Sequence, residues 1–220
     1  MLEANTLIEL DRAFRDDPGK LRDLVIALQY QIQACVVRYH PYGFTVVTLG
    51  TVPGRRRIVY RLHIWPTGFA LPGSAELMIH DHVYDIQSHI LIGQVVQHEY
   101  VESELGAEFA SYRGLYDGPH SVLERKPGTV RVVETAVSTF DAGHTYTLPA
   151  GALHMADVDP SNLTATILRT EYREKEDDPV ILAPIDAPPS YRFERDLVAD
   201  DVGVTTISAL FRELTSAHPT

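Results

Sequence analysis

The chain has 220 residues, with 30 acidic against 19 basic, a formal net charge of -11, and 45% hydrophobic and 22% charged residues. A chain of this length buries a core without covalent staples, and the single Cys35 excludes an intrachain disulfide. The acidic balance disfavours nucleic acid, because phosphate binding draws on clustered Lys and Arg. No apolar run approaches the roughly 20 residues that span a bilayer. The opening MLEANTLIELDRAF lacks the basic start and apolar stretch of a signal peptide, so a cytoplasmic location is the expectation.

Leu7, Leu10 and Phe14 repeat at helical spacing ahead of the Asp17-Pro18-Gly19 break. Leu21, Leu24, Val25, Leu28, Ile32 and Val36 predict a second amphipathic helix ending near His40-Pro41. From Phe44 to about Tyr172 the texture changes to short β-rich runs: FTVVTL, RRIVYRLHIW, AELMIHDHVY, SHILIGQVV, EFASYRGLY, TVRVVETAVSTF, HTYTL and NLTATILRTEY. Many strands with turn signals between them predict an antiparallel sandwich or barrel. The acidic stretch Glu174 to Asp178 and the segment Pro179 to Pro189 read as a surface loop, and Ile207, Leu210, Phe211 and Leu214 predict a closing helix. The simplest organisation is one domain: a helical extension over 1–40, a β-barrel over 41–178, and a loop and helix over 179–220.

Two stretches carry chemistry. In ELMIHDHVY, His80 and His82 stand at i and i+2, so in a strand both imidazoles point the same way and supply two adjacent corners of a metal's coordination sphere. The alternative is a pair of solvated histidines on a sheet face. In GHTYTLPAGALH, Gly143 enters a strand, Pro149 and Gly151 set a tight corner, and His154 follows at once. Gly143, Pro149, Gly151 and His154 match the second motif of the cupin superfamily, and Gly73, His80, His82 and Gly93 match the first with one extra residue after Gly73. The resemblance implies an all-β cupin jelly-roll barrel with N-terminal helices and a C-terminal helix, and a metal held by His80, His82 and His154.

The position of the cupin glutamate falls on Ile86, flanked by Asp85 and Gln87; a one-residue bulge would turn Gln87 or Asp85 inward as a fourth ligand. Otherwise the site has three neutral ligands, leaves the cation its full charge, and favours an anionic or chelating substrate together with water or dioxygen. RRIVYRLHIWP through ELMIHDHVYDIQSHILIGQVVQHEY resembles the cysteine dioxygenase (thiol dioxygenase) family, most specifically at Ile79-His80-Asp81-His82. The resemblance implies ferrous iron on the three histidines. Three family features are absent: Val46 stands where the carboxylate-binding Arg is expected, Ile86 or Gln87 where the crosslinking Cys is expected, and TATILRTEY lacks the His of a Ser-His-Tyr relay. The fold and metal site therefore carry over, and the substrate does not.

Arg57, Arg61 and His63 share one face of their strand, and Arg169 follows on the strand after His154. Arg61 or Arg169 facing the cavity would clamp a carboxylate with its planar fork; the alternative for either is an ion pair outside the barrel. Tyr84 and Tyr172 are candidates to hydrogen-bond a ligand, and Asp157 to orient a ligand imidazole. Cys35 reads as core and His89 as facing away from the metal. The leading expectation is a mononuclear non-haem iron oxygenase acting with O2 on a small polar or anionic metabolite. The alternatives are a non-oxidative Zn, Ni or Mn enzyme (isomerase, lyase or coupling enzyme) and a cupin that binds a metabolite without turnover. No nucleic-acid or membrane partner is expected, and a homodimer is compatible with the sequence.

Overall fold

The computed structural model describes residues 1–52, 57–69, 79–117, 120–173, 178–194, 197–198 and 200–216. The first helix, α1 (Ala4–Asp16), buries Leu7, Leu10 and Phe14 as their spacing predicts. After a 3-10 turn at Pro18–Lys20, the second helical stretch is shorter than expected. It divides into α2 (Leu21–Ala27) and α3 (Gln29–Gln33), and Val37–Tyr39 is strand β1. Val36, expected on the apolar helical face, is exposed. The cause is a competing partner: consecutive β-branched Val36 and Val37 favour extended backbone, and Val37 pairs with Val47 on β2 (Thr45–Val52).

Strand β3 (Ile58–Trp65) follows as expected; β4 (Tyr84–Ile92) instead joins the end of the AELMIHDHVY run to the start of SHILIGQVV, which Gly93 breaks as it turns the chain into β5 (Gln94–Asp117). Gly93 has φ +77, and a Cβ there would sit 2.2 Å from Thr164 Oγ1, so the motif glycine is a requirement of close packing. The next runs do not stay short. They merge into β5 and β6 (His120–Asp141), paired along most of their length. The turn signal Lys126-Pro127-Gly128 falls between paired positions Arg125 and Thr129, opposite Tyr112 and Ala110, and so becomes a bulge within β6.

The remaining elements are β7 (Thr145–Leu148), β8 (Leu153–Asp157), β9 (Thr164–Tyr172), β10 (Val180–Ala183), β11 (Ser190–Glu194) and α4 (Asp200–Ser216). The stretch from 179 is thus not only loop and helix. Its apolar Val180-Ile181-Leu182-Ala183 pairs with Ala110–Arg113 of β5, and β11 pairs with β6, so these backbone groups find ladder partners. Of the acidic stretch, residues 174–177 lie outside the described residues, as does Gly73.

Among the described residues, one sheet has the order β1-β2-β3-β9-β4-β7 and the other β10-β5-β6-β11, with β8 also on β5. This is an all-β double-sheet barrel with helices near both ends of the chain. The first sheet is covered on both faces. Leu7, Leu10 and Phe14 of α1 and Ile207, Leu210 and Phe211 of α4 share a core with Val47, Leu49, Tyr60, Leu62 and Ile167 of the strands. The opposite face of the same strands looks into the barrel. Burial on both sides explains why β9 reads as nearly continuous burial instead of alternation.

Candidate metal centre

His80 and His82 do not lie within a regular strand. β4 begins only at Tyr84, and His80 forms isolated bridges to His154 on β8 and to Ile181 on β10. The run is nonetheless extended and pinned on both sides. His80 and His154 exchange backbone hydrogen bonds of 3.0 and 2.9 Å, Gly151 N–H donates to the His82 carbonyl at 2.9 Å, and Asp81 N–H donates to Val180. Asp81 also accepts from Val180 N–H at 2.6 Å, so the aspartate of the IHDH element staples backbone. The corner at Gly151, with φ +81, thereby ties the two motifs together.

The three rings meet at centroid distances of 4.8, 4.6 and 5.0 Å, and one nitrogen from each of His80, His82 and His154 lies within 4.8 Å of the other two. Tetrahedral ligands about 2.1 Å from a cation stand about 3.4 Å apart, so separations of up to 4.8 Å would close by up to about 1.4 Å on binding. His154 Nδ1 donates to the Ala152 carbonyl at 2.9 Å, which leaves Nε2 as the ligand atom. Burial, reinforced by the neighbouring imidazoles of His80 and His154, pushes the pKa of His82 well below the usual imidazole range. Burial lowers His154 as well, against the opposing pull of its bond to Ala152. Both are neutral at pH 7, the form that ligates metal. The donor set fits a divalent cation.

No fourth ligand joins them among the described residues. Ile86 lines the cavity, and β4 carries no bulge at this point. Gln87 faces the other side and accepts from Arg169 at 3.2 Å, while Asp85 accepts from Ala150 N–H at 2.8 Å and from Arg173. The bulge that would turn either inward is therefore not formed. Asp157 borders the cavity, but the Ala152 carbonyl, not Asp157, orients the His154 ring.

The histidines stand in the wall of a cavity of about 740 Å³. Arg57, Arg61, Tyr84 and Tyr172 line it together. Tyr84 stacks on His82 at 4.9 Å and 12°, Arg61 lies over the Tyr84 ring at 5.6 Å, and Arg57 lies over Tyr172 at 4.5 Å. Arg61 donates to Thr170 Oγ1 at 2.8 Å and to the Tyr172 hydroxyl at 3.1 Å. Arg169 is a correction to the expected cavity set. Its odd position on β9 turns it to the helical side, where it donates to Asp11 of α1 at 2.8 Å and to Glu171 at 3.0 Å. His89 likewise faces away from the cations' cavity and meets Thr145 Oγ1 at 2.8 Å. Cys35 is buried in the helical core.

No family model matches the chain, and no curated protein does. Among solved structures it is similar to one of the DMSP lyases RdDddP and RnDddQII, at 16% identity over 77% of this chain and 75% of that one, with a TM-score of 0.42. It is similar to the DMSP lyase DddQ from Ruegeria pomeroyi DSS-3 at 13% identity, covering 81% and 77% of the two chains with a TM-score of 0.39. An RmlC-like cupin from Shewanella frigidimarina NCIMB 400 matches at 13% identity over 65% and 88%, with a TM-score of 0.35. Values this low carry no argument about chemistry, which rests on the side chains.

Among the cavity residues that sequence spacing does not single out, two are polar and deeply buried. Gln97 on β5 and Thr166 on β9 both line the cavity and are both 1% exposed. The signal for Gln97 was its place two residues after Val95, a polar group on the inward face of an apolar strand.

Proposed function

We propose that the chain is a mononuclear metal-dependent enzyme in which His80, His82 and His154 hold the cation and the barrel cavity takes a small anionic metabolite. The observation that carries this reading is the convergence of three imidazole nitrogens within 4.8 Å in the wall of a cavity of about 740 Å³. Ferrous iron in such a set would supply electron transfer to dioxygen, which makes a dioxygenase-like oxidoreductase the leading assignment. The chain's own residues have separable tasks. Arg61 attracts and orients the anion, Tyr84 fixes the His82 ring and presents a hydroxyl beside it, and the apolar walls exclude water.

A second reading has its own support. The Tyr84 hydroxyl, on a ring that stacks on His82 and lies under the Arg61 guanidinium, would serve proton transfer that needs no oxygen. Zinc, nickel or manganese in the same donor set would serve a lyase or isomerase. The deciding experiment pairs elemental analysis of protein from its native host with oxygen uptake after anaerobic reconstitution with ferrous iron, across thiols, amino acids and phenols. Iron content with substrate-dependent uptake above that of free iron supports the oxygenase. Stoichiometric zinc with turnover retained under argon replaces it with the non-oxidative enzyme.

A further inference from the structure

The cavity has two chemically distinct ends joined by an apolar wall. At one end, Arg57 and Arg61 have no ion-pair partner among the described residues, although the chain carries a net charge of -11. Arg61 is met only by neutral groups, the hydroxyls of Thr170 and Tyr172 and the ring face of Tyr84. Cavity-facing guanidiniums left uncompensated in an acidic protein are a binding site for an oxyanion. At the other end, neither amide atom of Gln97 nor the hydroxyl of Thr166 has a hydrogen-bond partner among the described residues, and both side chains are 1% exposed. A buried amide without partners costs free energy unless something that enters the cavity satisfies it.

These ends are set apart by the register of β9. Thr166 pairs with His63, while the Arg61 head reaches the other way to Thr170 and Tyr172. Four to six residues of strand, shortened by side chains leaning inward, leave a span on the order of 10 Å. Between them stand Leu168, opposite Arg61, and Tyr146, with Ile86 and Leu148 beside them, while Phe44 and Trp65, with ring centroids 4.7 Å apart, flank the Thr166 end, Trp65 being paired with Thr164. We infer that the cavity is a cradle for an aryl carboxylate: the carboxylate on Arg61 and Arg57, a flat apolar body along Leu168 and Tyr146, and a hydroxyl or comparable neutral group on Gln97 and Thr166 beside Phe44 and Trp65. This deepens the catalytic reading of the same cavity and rests on it, and it makes Gln97 a specificity-determining residue.

The test uses the metal-free full chain, so that direct ligation of the carboxylate to metal cannot imitate the clamp. Trp65 is the only tryptophan and lines the cavity, so its fluorescence, excited at the red edge where phenols do not absorb, reports occupancy. The probes are para-hydroxyphenylpropionate, phenylpropionate without the hydroxyl, and para-hydroxyphenylpropionamide without the charge. The hydroxy acid is expected to bind about tenfold tighter than either comparator. Arg61→Met weakens the preference for acid over amide and keeps that for the hydroxyl; Gln97→Leu does the reverse. Gln97→Leu replaces a partnerless amide with an apolar side chain of similar size, so its thermal midpoint stays the same or rises and misfolding does not confuse the result. If wild-type protein binds none of the probes or treats all three alike, the cradle is overturned, a result the wild-type series gives by itself. Metal content, measured separately on the loaded protein, decides the metal reading independently.

Discussion

Ile86 is 5% exposed on β4 and lines the cavity, so a cation held by the three histidines would have neutral ligands only. Placing a carboxylate there should tighten the site: Ile86→Glu is expected to slow metal loss to a chelator by about tenfold or more, read as competition against a chromogenic chelator, while lowering stability in the metal-free state because the new charge is buried. Replacing His80, His82 or His154 with alanine should reduce bound metal to background, measured by elemental analysis after dialysis; full metal content in any of the three variants would remove the proposed centre. These three histidines were legible because motif spacing fixes them without reference to the sheet's packing. The direction of Arg169 was not, because β9 is buried on both faces and so shows no alternation from which to read which parity enters the barrel. Gln97 was overlooked for a related reason, since the sequence shows a polar residue without showing whether anything will satisfy it.

Among the elements, α1 was legible from three apolar residues at helical spacing, but the contact that locks it to the barrel was not. Asp11, one turn after Leu7, is 8% exposed and accepts from Arg169 Nε at 2.8 Å and the Tyr60 hydroxyl at 2.7 Å. Burial by itself would raise this carboxyl; hydrogen bonds from Arg169 and Tyr60 and the charges of Arg169 and Arg15 outweigh it and hold its pKa below the usual range. Arg169 and Tyr60 belong to adjacent paired strands, so the ion pair joins a helix to the centre of the first sheet. Asp11→Ala would leave the Arg169 charge buried with Glu171 as its remaining partner and is expected to cost about 3 kcal/mol, whereas Tyr60→Phe should cost about 1 kcal/mol. Urea unfolding checks both, and an Asp11→Ala midpoint equal to wild type would show the pair to be dispensable. The strand boundaries misled for a different reason. Turn residues such as Pro127-Gly128 are read locally, yet a partner strand long enough to pair on both sides of them turns the break into a bulge.

For the molecule as a whole, the all-β architecture was legible from the run of β-rich segments, while the sharing of one core by α1, α4 and the first sheet depended on contacts between residues at opposite ends of the chain. That layered burial has a consequence for pH. His89 lies on the side of β4 away from the cavity, 2% exposed, and burial, aided by the nearby His144, depresses its pKa to about 4. In the unfolded chain an ordinary imidazole titrates near 6.5. Between these values the unfolded state binds a proton that the folded state does not, so stability rises with pH from about 4 to about 6.5 and is lost as the pH falls through that window. The lowered pKa values of His82 and His154 act in the same direction, and bound metal would deepen their effect, so the contribution of His89 is isolated by difference in metal-free protein. His89→Leu removes the titration and replaces the bond to Thr145 with apolar packing. The unfolding free energy of wild type relative to His89→Leu is expected to fall by on the order of 3 kcal/mol between pH 7 and pH 4. Denaturant titrations at intervals across that range provide the measurement; a difference that stays constant would mean that His89 takes up its proton as readily in the fold as outside it.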